Sequence, residues 1–205
     1  MKIIMFLLSL CMMLFNASYS QKIQSIEIGD TFPTSHINYP MKSVNGEDHR
    51  VSQHLNRNGL ILIFTSNSCP FVVAWEDRYE IIENLSQKYN IDMLYINSNH
   101  NRREGVDSYQ AMQHHHKKMG YTFNYLLDER SELANILGAK TTPHVFMFDK
   151  SSKLVYEGAI DDNYESVAEV ENFYLEDAIV TLSTGKKIEV SKTKAVGCSI
   201  KRFIP

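Results

Sequence analysis

Cysteine is scarce in this chain: three among 205 residues, at positions 11, 69 and 198. So few cysteines do not make a disulfide framework, which excludes a small cross-linked scaffold. Charge of one sign is lacking too, with 21 basic against 24 acidic residues and a net charge of −3. Nothing in that balance directs the chain to nucleic acid or to an anionic membrane surface. After Phe15 no apolar stretch of spanning length occurs. What is left is the composition of one globular domain with an ordinary core.

The apolar run that does occur lies at the very start. Met1-Lys2 is followed by an almost uninterrupted apolar segment from Ile3 to Phe15 and then by Asn16-Ala17-Ser18-Tyr19-Ser20. A basic start, a short apolar centre and small residues at Ser18 and Ser20 predict a secretory signal peptide over residues 1–20, cut after Ser20. Cys11 follows Leu10 rather than a small residue, so a lipoprotein signal is not expected. Cleavage removes Lys2 and no acid, taking the net charge from −3 to −4. The predicted product is an exported protein, periplasmic or secreted, with no stable membrane insertion, and it keeps only Cys69 and Cys198. Its predicted parts are a domain over 21–185 and a C-terminal tail over 186–205. Oligomeric state is open.

Along the domain, Gly59–Phe64 is a continuous apolar run and predicts a buried central strand. From Pro70 to Tyr89 the apolar positions Phe71, Val72, Trp75, Tyr79, Ile82, Leu85 and Tyr89 recur at helical spacing, with Trp75 in the core. A strand is expected over Asp92–Asn97, a helix over about Gly105–Met119 and a short strand over Phe123–Leu127. A short helix capped by Ser131 and closed by Gly138 comes next. Val145–Phe148 and Leu154–Ala159 read as a hairpin, followed by an amphipathic helix over Glu171–Ser183. This order predicts an α/β fold: a central mixed sheet with helices on both faces.

Cys69 falls between the first strand and the first helix, in Thr65-Ser66-Asn67-Ser68-Cys69-Pro70. A thiol at a helix N-terminus meets unpaired backbone N–H groups and the positive end of the helix dipole, which favour the thiolate. Pro70 suits the first helical turn, where its missing N–H has no partner to lose. Other polar groups read as structural. Three consecutive histidines, His114–His116, diverge on a helix and predict a solvated face, so no metal or other cofactor is expected. Asp161-Asp162-Asn163 reads as a turn or a weak cation site, and Arg78 as a surface or ion-pair residue. His144, on a strand, points either toward the thiol or away from it.

A strand, a cysteine at the following helix start, another strand and Thr142-Pro143 ahead of a further strand together resemble the thioredoxin fold. The lead-in Gly29-Asp30-Thr31-Phe32-Pro33 and the segment Val44–Leu55 resemble the N-terminal extension of the redoxin branch, which includes peroxiredoxins and exported thiol-disulfide oxidoreductases. Cys69-Pro70-Phe71-Val72, Asn97-Ser98-Asn99, Tyr156–Asn163 and Gly197-Cys198-Ser199-Ile200-Lys201 resemble one redoxin subfamily over nearly the whole mature chain.

The resemblance implies a cis Thr142–Pro143 bond packed against the active-site cysteine, with Pro70, Thr142 and Pro143 supporting the site. It also implies that Cys69 is the nucleophile of a thiol-dependent oxidoreductase. The first position of the Cys-x-x-Cys motif is Ser66 here, an arrangement similar to that of peroxiredoxins, although their upstream proline and their arginine near Pro143 have no equivalent. Ser66 is then expected to hydrogen-bond the thiolate or the peroxide. Cys198 is expected as a resolving thiol, as a structural disulfide partner of Cys69, or as an inert packed residue. Peroxide reduction with an external thiol reductant is preferred. The alternatives are a thiol-disulfide reductase or isomerase acting on exported proteins, and a redox-inactive binding module.

Overall fold

The computed structural model of the chain describes residues 25–55 and 57–204. The predicted signal peptide lies outside the described residues. Nine strands and four helices follow in sequence: β1 (Met41–Ser43), β2 (Asp48–His49), β3 (Gly59–Thr65), α1 (Pro70–Lys88), β4 (Asp92–Asn97), α2 (Tyr109–Met119), β5 (Asn124–Leu127), α3 (Glu132–Leu137), β6 (Thr141–Thr142), β7 (His144–Asp149), β8 (Leu154–Gly158), α4 (Tyr174–Ser183) and β9 (Cys198–Ser199). Seven strands form one mixed sheet in the order β2-β1-β5-β4-β3-β7-β8, while β6 pairs with β9 apart from it. Strands β3, β4 and β5 are parallel, and β7 and β8 complete the far side as an antiparallel hairpin. This is the thioredoxin-like α/β fold with helices on both faces.

Alternation along β3 assigns the two faces. Ile61 and Ile63 pack with Val72, Trp75, Tyr79 and Ile82 of α1 and with Leu175 and Ile179 of α4. Leu60, Leu62 and Phe64 pack on the opposite side with Leu133, Ala134 and Leu137 of α3. Every residue of β3 is buried, which explains why the run is apolar without alternation. The end of this central strand that leads to Cys69 is thereby fixed from both sides.

Helix boundaries differ from the sequence expectation where side chains divert the chain. Helix α2 starts at Tyr109 rather than near Gly105, because the Ser108 hydroxyl caps it by accepting from the Ala111 N–H. Helix α4 starts at Tyr174 rather than Glu171, because the Asp162 carboxylate holds the N–H groups of Glu171 and Asn172 in the preceding loop. At α3 Ser131 holds the N-cap position as expected, but its side chain does not cap: the Asp128 carboxylate accepts from Leu133 and Ala134, and the Ser131 hydroxyl donates to the Ser98 carbonyl. Gly138 closes that helix in the left-handed conformation, φ 72°.

The tail packs on the domain at several points. Backbone bonds join Glu157 of the β8 edge to Ser191 and Thr193, the Ile200 N–H donates to the Lys140 carbonyl, and Ile188 and Ile200 are buried. Among the described residues no helix is long and apolar enough to cross a membrane.

Candidate functional site

Strand β3 ends at Thr65 and the chain turns through Ser66–Ser68 to reach Cys69, the N-cap of α1, with Pro70 in the first helical turn. Three bonds hold that turn. The Asn67 N–H donates to the Asp107 carboxylate at 2.9 Å, the Asn67 side-chain amide to the Val106 carbonyl at 2.8 Å, and the Tyr125 hydroxyl to Asn67 Oδ1 at 2.9 Å. Asp107 also receives the amides of Asn97 and Asn99, so one buried carboxylate ties the ends of β3 and β4 to the start of α2. The Cys69 N–H donates to Ser66 Oγ at 3.2 Å. Ser66 therefore fixes the backbone of Cys69, a positioning contact different from the expected bond to thiolate or peroxide.

The second wall is Thr142–Pro143, whose peptide bond is cis. The Cys69 thiol donates to the Thr142 carbonyl at 3.0 Å. Thr142 is also the register partner of Cys198, so the tail lays its cysteine beside the same residue. Gly197 makes that approach feasible, since a Cβ there would lie 2.2 Å from the Thr142 carbonyl oxygen. Both cysteines are free thiols, so no Cys69–Cys198 disulfide is formed in this state.

The two thiols have opposite character. Burial pushes Cys69 up, but hydrogen bonds from the side chains of Cys198 and Thr142 and from the backbone of Val72 and Cys198 outweigh it and leave Cys69 below the ordinary thiol value. Cys198 is pushed up to about 11, first by burial, then by its hydrogen bond to Cys69 and by the charge on that sulfur. Thr142 serves both protonation states of Cys69. Its carbonyl takes the S–H of the neutral thiol, while its buried hydroxyl, otherwise without a partner among the described residues, is the donor left for the thiolate.

Removing a hydrogen bond to a charged group costs about 1.5 kcal/mol or more, roughly a factor of ten in an equilibrium. Thr142→Val is accordingly expected to raise the Cys69 pKa and to slow its alkylation by iodoacetamide at neutral pH about tenfold. A rate–pH profile checks this, and an unmoved midpoint would remove the Thr142 hydroxyl from the site.

A cleft of about 350 Å³ opens over the sulfur, with Ser66, Ser68, Arg102, Thr142, Cys198 and Lys201 among its lining residues. The structure thus brings together Cys69, Ser66, Pro70, Thr142, Pro143 and Cys198. Among the described residues no group of three or more His, Cys, Asp or Glu side chains is arranged to hold a metal.

Other polar residues lie elsewhere. His144 is on the opposite face of β7 from Val145, which shares a cluster with Cys69; its Nδ1 accepts from the Lys140 N–H and its Nε2 lies 3.5 Å from Glu157. Of the histidine run only His114 is solvated as expected: His115 pairs with Glu76 at 2.9 Å and His116 bonds the Phe123 carbonyl, because α2 lays that side against α1 and β5. Arg78 and Asp161 form a buried ion pair, so neither a surface arginine nor a cation site is present there. Asp107 and the seating of Cys198 against β6 were missed by sequence reasoning. A buried acid within a polar loop carries no periodic signal, and a two-residue strand carries none either.

Comparisons with known proteins agree with this geometry. A hypothetical protein from Sinorhizobium meliloti 1021 is 25% identical with a TM-score of 0.78, over 89% of this chain and 98% of that one. A protein described as a putative thiol:disulfide interchange protein DsbE from Chlorobium tepidum shares the fold at 16% identity and a TM-score of 0.60, over 78% of this chain and 99% of that one. Peroxidoxin BcpB from Mycobacterium tuberculosis shares it at 15% identity and a TM-score of 0.58, over 78% and 97%. No curated protein matches the sequence. Residues 27–174 match the family model described as Redoxin, a span that runs from the lead-in through Cys69 and Thr142–Pro143 to the first residue of α4. With that span and a thiol poised at the head of its first long helix, the chain belongs to the Redoxin family of thiol-based oxidoreductases.

Proposed function

We propose that this protein is an exported peroxidase in which Cys69 is the peroxidatic thiol and Cys198 the resolving thiol. The observation that carries the reading is that two free thiols share one residue and one cleft: the Cys69 thiol donates to the Thr142 carbonyl, Cys198 is the register partner of Thr142, and both line the same opening. Export rests on the pattern of residues 1–20.

The Cys69 thiolate attacks one oxygen of a hydroperoxide. The O–O bond breaks, the alkoxide or hydroxide leaves and takes up a proton, and the cysteine becomes a sulfenic acid, oxidised by two electrons. Cys198 sulfur then attacks the Cys69 sulfur, water leaves and a disulfide forms. An external dithiol reduces that disulfide by exchange and restores both thiols. Oxidation of Cys69 also primes Cys198. Once the anionic sulfur is gone, two of the influences holding Cys198 protonated, its bond to Cys69 and the charge there, disappear while burial remains.

A dithiol pair of this kind also exchanges with protein disulfides. Cys69 is 4% exposed beneath its cleft, which favours a small peroxide over a disulfide carried on another protein. The decisive assay is hydrogen peroxide consumption by the mature protein with a dithiol reductant. Turnover by the wild type that is abolished in Cys69→Ser supports the proposal, and equal rates for the two overturn it.

A further inference from the structure

The mouth of the cleft over Cys69 carries two cations and, apart from the thiolate itself, no available anion among its lining residues. Arg102 and Lys201 both line it, and among the described residues neither is paired with a carboxylate. The one acid in the lining, Asp107, is buried and occupied by the Asn67 N–H and by the amides of Asn97 and Asn99. Arg103 stands behind it and donates to the Asp107 carbonyl, so the interior of the site is compensated and the rim is not.

The rim is also built rather than incidental. The Lys201 N–H donates to Asn99 Oδ1 at 2.8 Å, and the Lys201 carbonyl accepts from the Asn101 N–H at 2.9 Å. These two bonds tie the tail to the short 3-10 turn His100–Arg102, so one bracket sets Lys201 beside the segment that carries Arg102. Lys201 lies close enough to Cys198 for its charge to act on that thiol. The same bracket therefore seats the second cysteine and places the cations.

We propose that Arg102 and Lys201 make this cleft selective for negatively charged substrates, and that within the peroxidase reading the preferred class is a hydroperoxide bearing a carboxylate. The preference follows from charge alone. A unit charge about 4 Å from a solvated opposite charge gains about a factor of five, and the gain is screened by salt.

The experiment separates this inference from the peroxidase reading on which the substrate class rests. Iodoacetate and iodoacetamide alkylate the same thiolate and differ in charge, so the ratio of their rates at Cys69 reads the field of the cleft whatever the thiolate fraction. The ratio is measured on the mature protein by site-resolved mass spectrometry at low salt, with glutathione as the solvated reference. The expected ratio is roughly tenfold above that of glutathione. It falls toward the reference in Arg102→Gln/Lys201→Gln and at about 0.5 M salt.

A wild-type ratio equal to that of glutathione, or one unmoved by the double substitution, overturns the anion site. A second arm compares a carboxylate-bearing hydroperoxide with its neutral methyl ester. A higher kcat/KM for the acid that is lost in the double variant supports the substrate class. No consumption of either peroxide, with the alkylation ratio still high, overturns the peroxidase reading and leaves the anion site supported.

Discussion

Cys198→Ser is expected to lose catalytic turnover: one equivalent of peroxide per chain takes Cys69 to the sulfenic acid, and no reduction cycle follows. The serine hydroxyl can still donate to the Cys69 sulfur, so the first step keeps its thiolate, but oxygen cannot close a disulfide onto the sulfenic acid. Resolution must then come from solution. A well-oriented neighbouring group acts with an effective molarity of about 10⁵ M or more, far above an external thiol at about 1 mM. Cys69 is also only 4% exposed and hard for a bulky reductant to reach.

With excess peroxide the stalled sulfenic acid moves on to sulfinic acid, a mass increase of two oxygens on the peptide carrying Cys69. Cys198→Ala separates the two roles of this residue. It stalls in the same way and also loses the donor to the thiolate, so its alkylation at neutral pH slows by about tenfold relative to Cys198→Ser. Steady turnover by Cys198→Ser at the wild-type rate would remove the residue from the cycle. Quantified peroxide loss together with intact mass of the oxidised protein gives the result.

What the sequence disclosed and what it concealed divide along one physical line. Gly59–Phe64 and the stripe from Val72 to Ile82 were legible because burial of a whole strand or of one helix face imposes a period on the chain. Cys69 was legible because its chemistry depends on a helix start, which sequence marks well. Contacts between polar groups far apart in sequence leave no such mark. Asp107 reaches Asn67 forty residues upstream, and Asp128 reaches forward past the N-cap Ser131 to supply the acceptor for the first turn of α3. The tail was expected to carry a thiol that could serve Cys69, but the two-residue strand that seats it against Thr141–Thr142 leaves no periodic mark. Arg78 stayed open between solvent and an ion pair because a stripe counted only from apolar residues leaves an arginine unassigned, and the partner that decides it, Asp161, lies 83 residues away.

That buried pair sets the second large effect. Asp161 Oδ2 accepts from Arg78 Nε at 3.1 Å, and Oδ1 accepts from Trp75 Nε1 at 2.7 Å and from the Asn163 N–H at 2.9 Å. Arg78 further donates to the Ala74 and Asn163 carbonyls, so the pair joins the middle of α1 to the loop after β8. Truncating one member of such a pair leaves a buried charge unpaired and costs about 3–5 kcal/mol. Asp161→Ala is expected near the lower end, about 3 kcal/mol, because the half-exposed Asp77 carboxylate still reaches Arg78 at 2.6 Å. For a domain of this size that is a fall in Tm of roughly 10 °C.

Trp75 is the only tryptophan, so its emission reports directly on the loss of its acceptor. The double variant Arg78→Met/Asp161→Leu tests the origin of the cost. Replacing both charges with apolar side chains removes the unpaired ion and is expected to recover most of the lost stability. Chemical denaturation of the wild type, both single variants and the double variant measures the coupling. A single-variant loss below about 1 kcal/mol, the range of exposed pairs, would show that solvent reaches Arg78. Cys69 lies two and a half turns away along the same helix. Its alkylation rate in folded Asp161→Ala therefore distinguishes a pair that only stabilises α1 from one that also aims the thiol: an unchanged rate assigns the pair to stability alone.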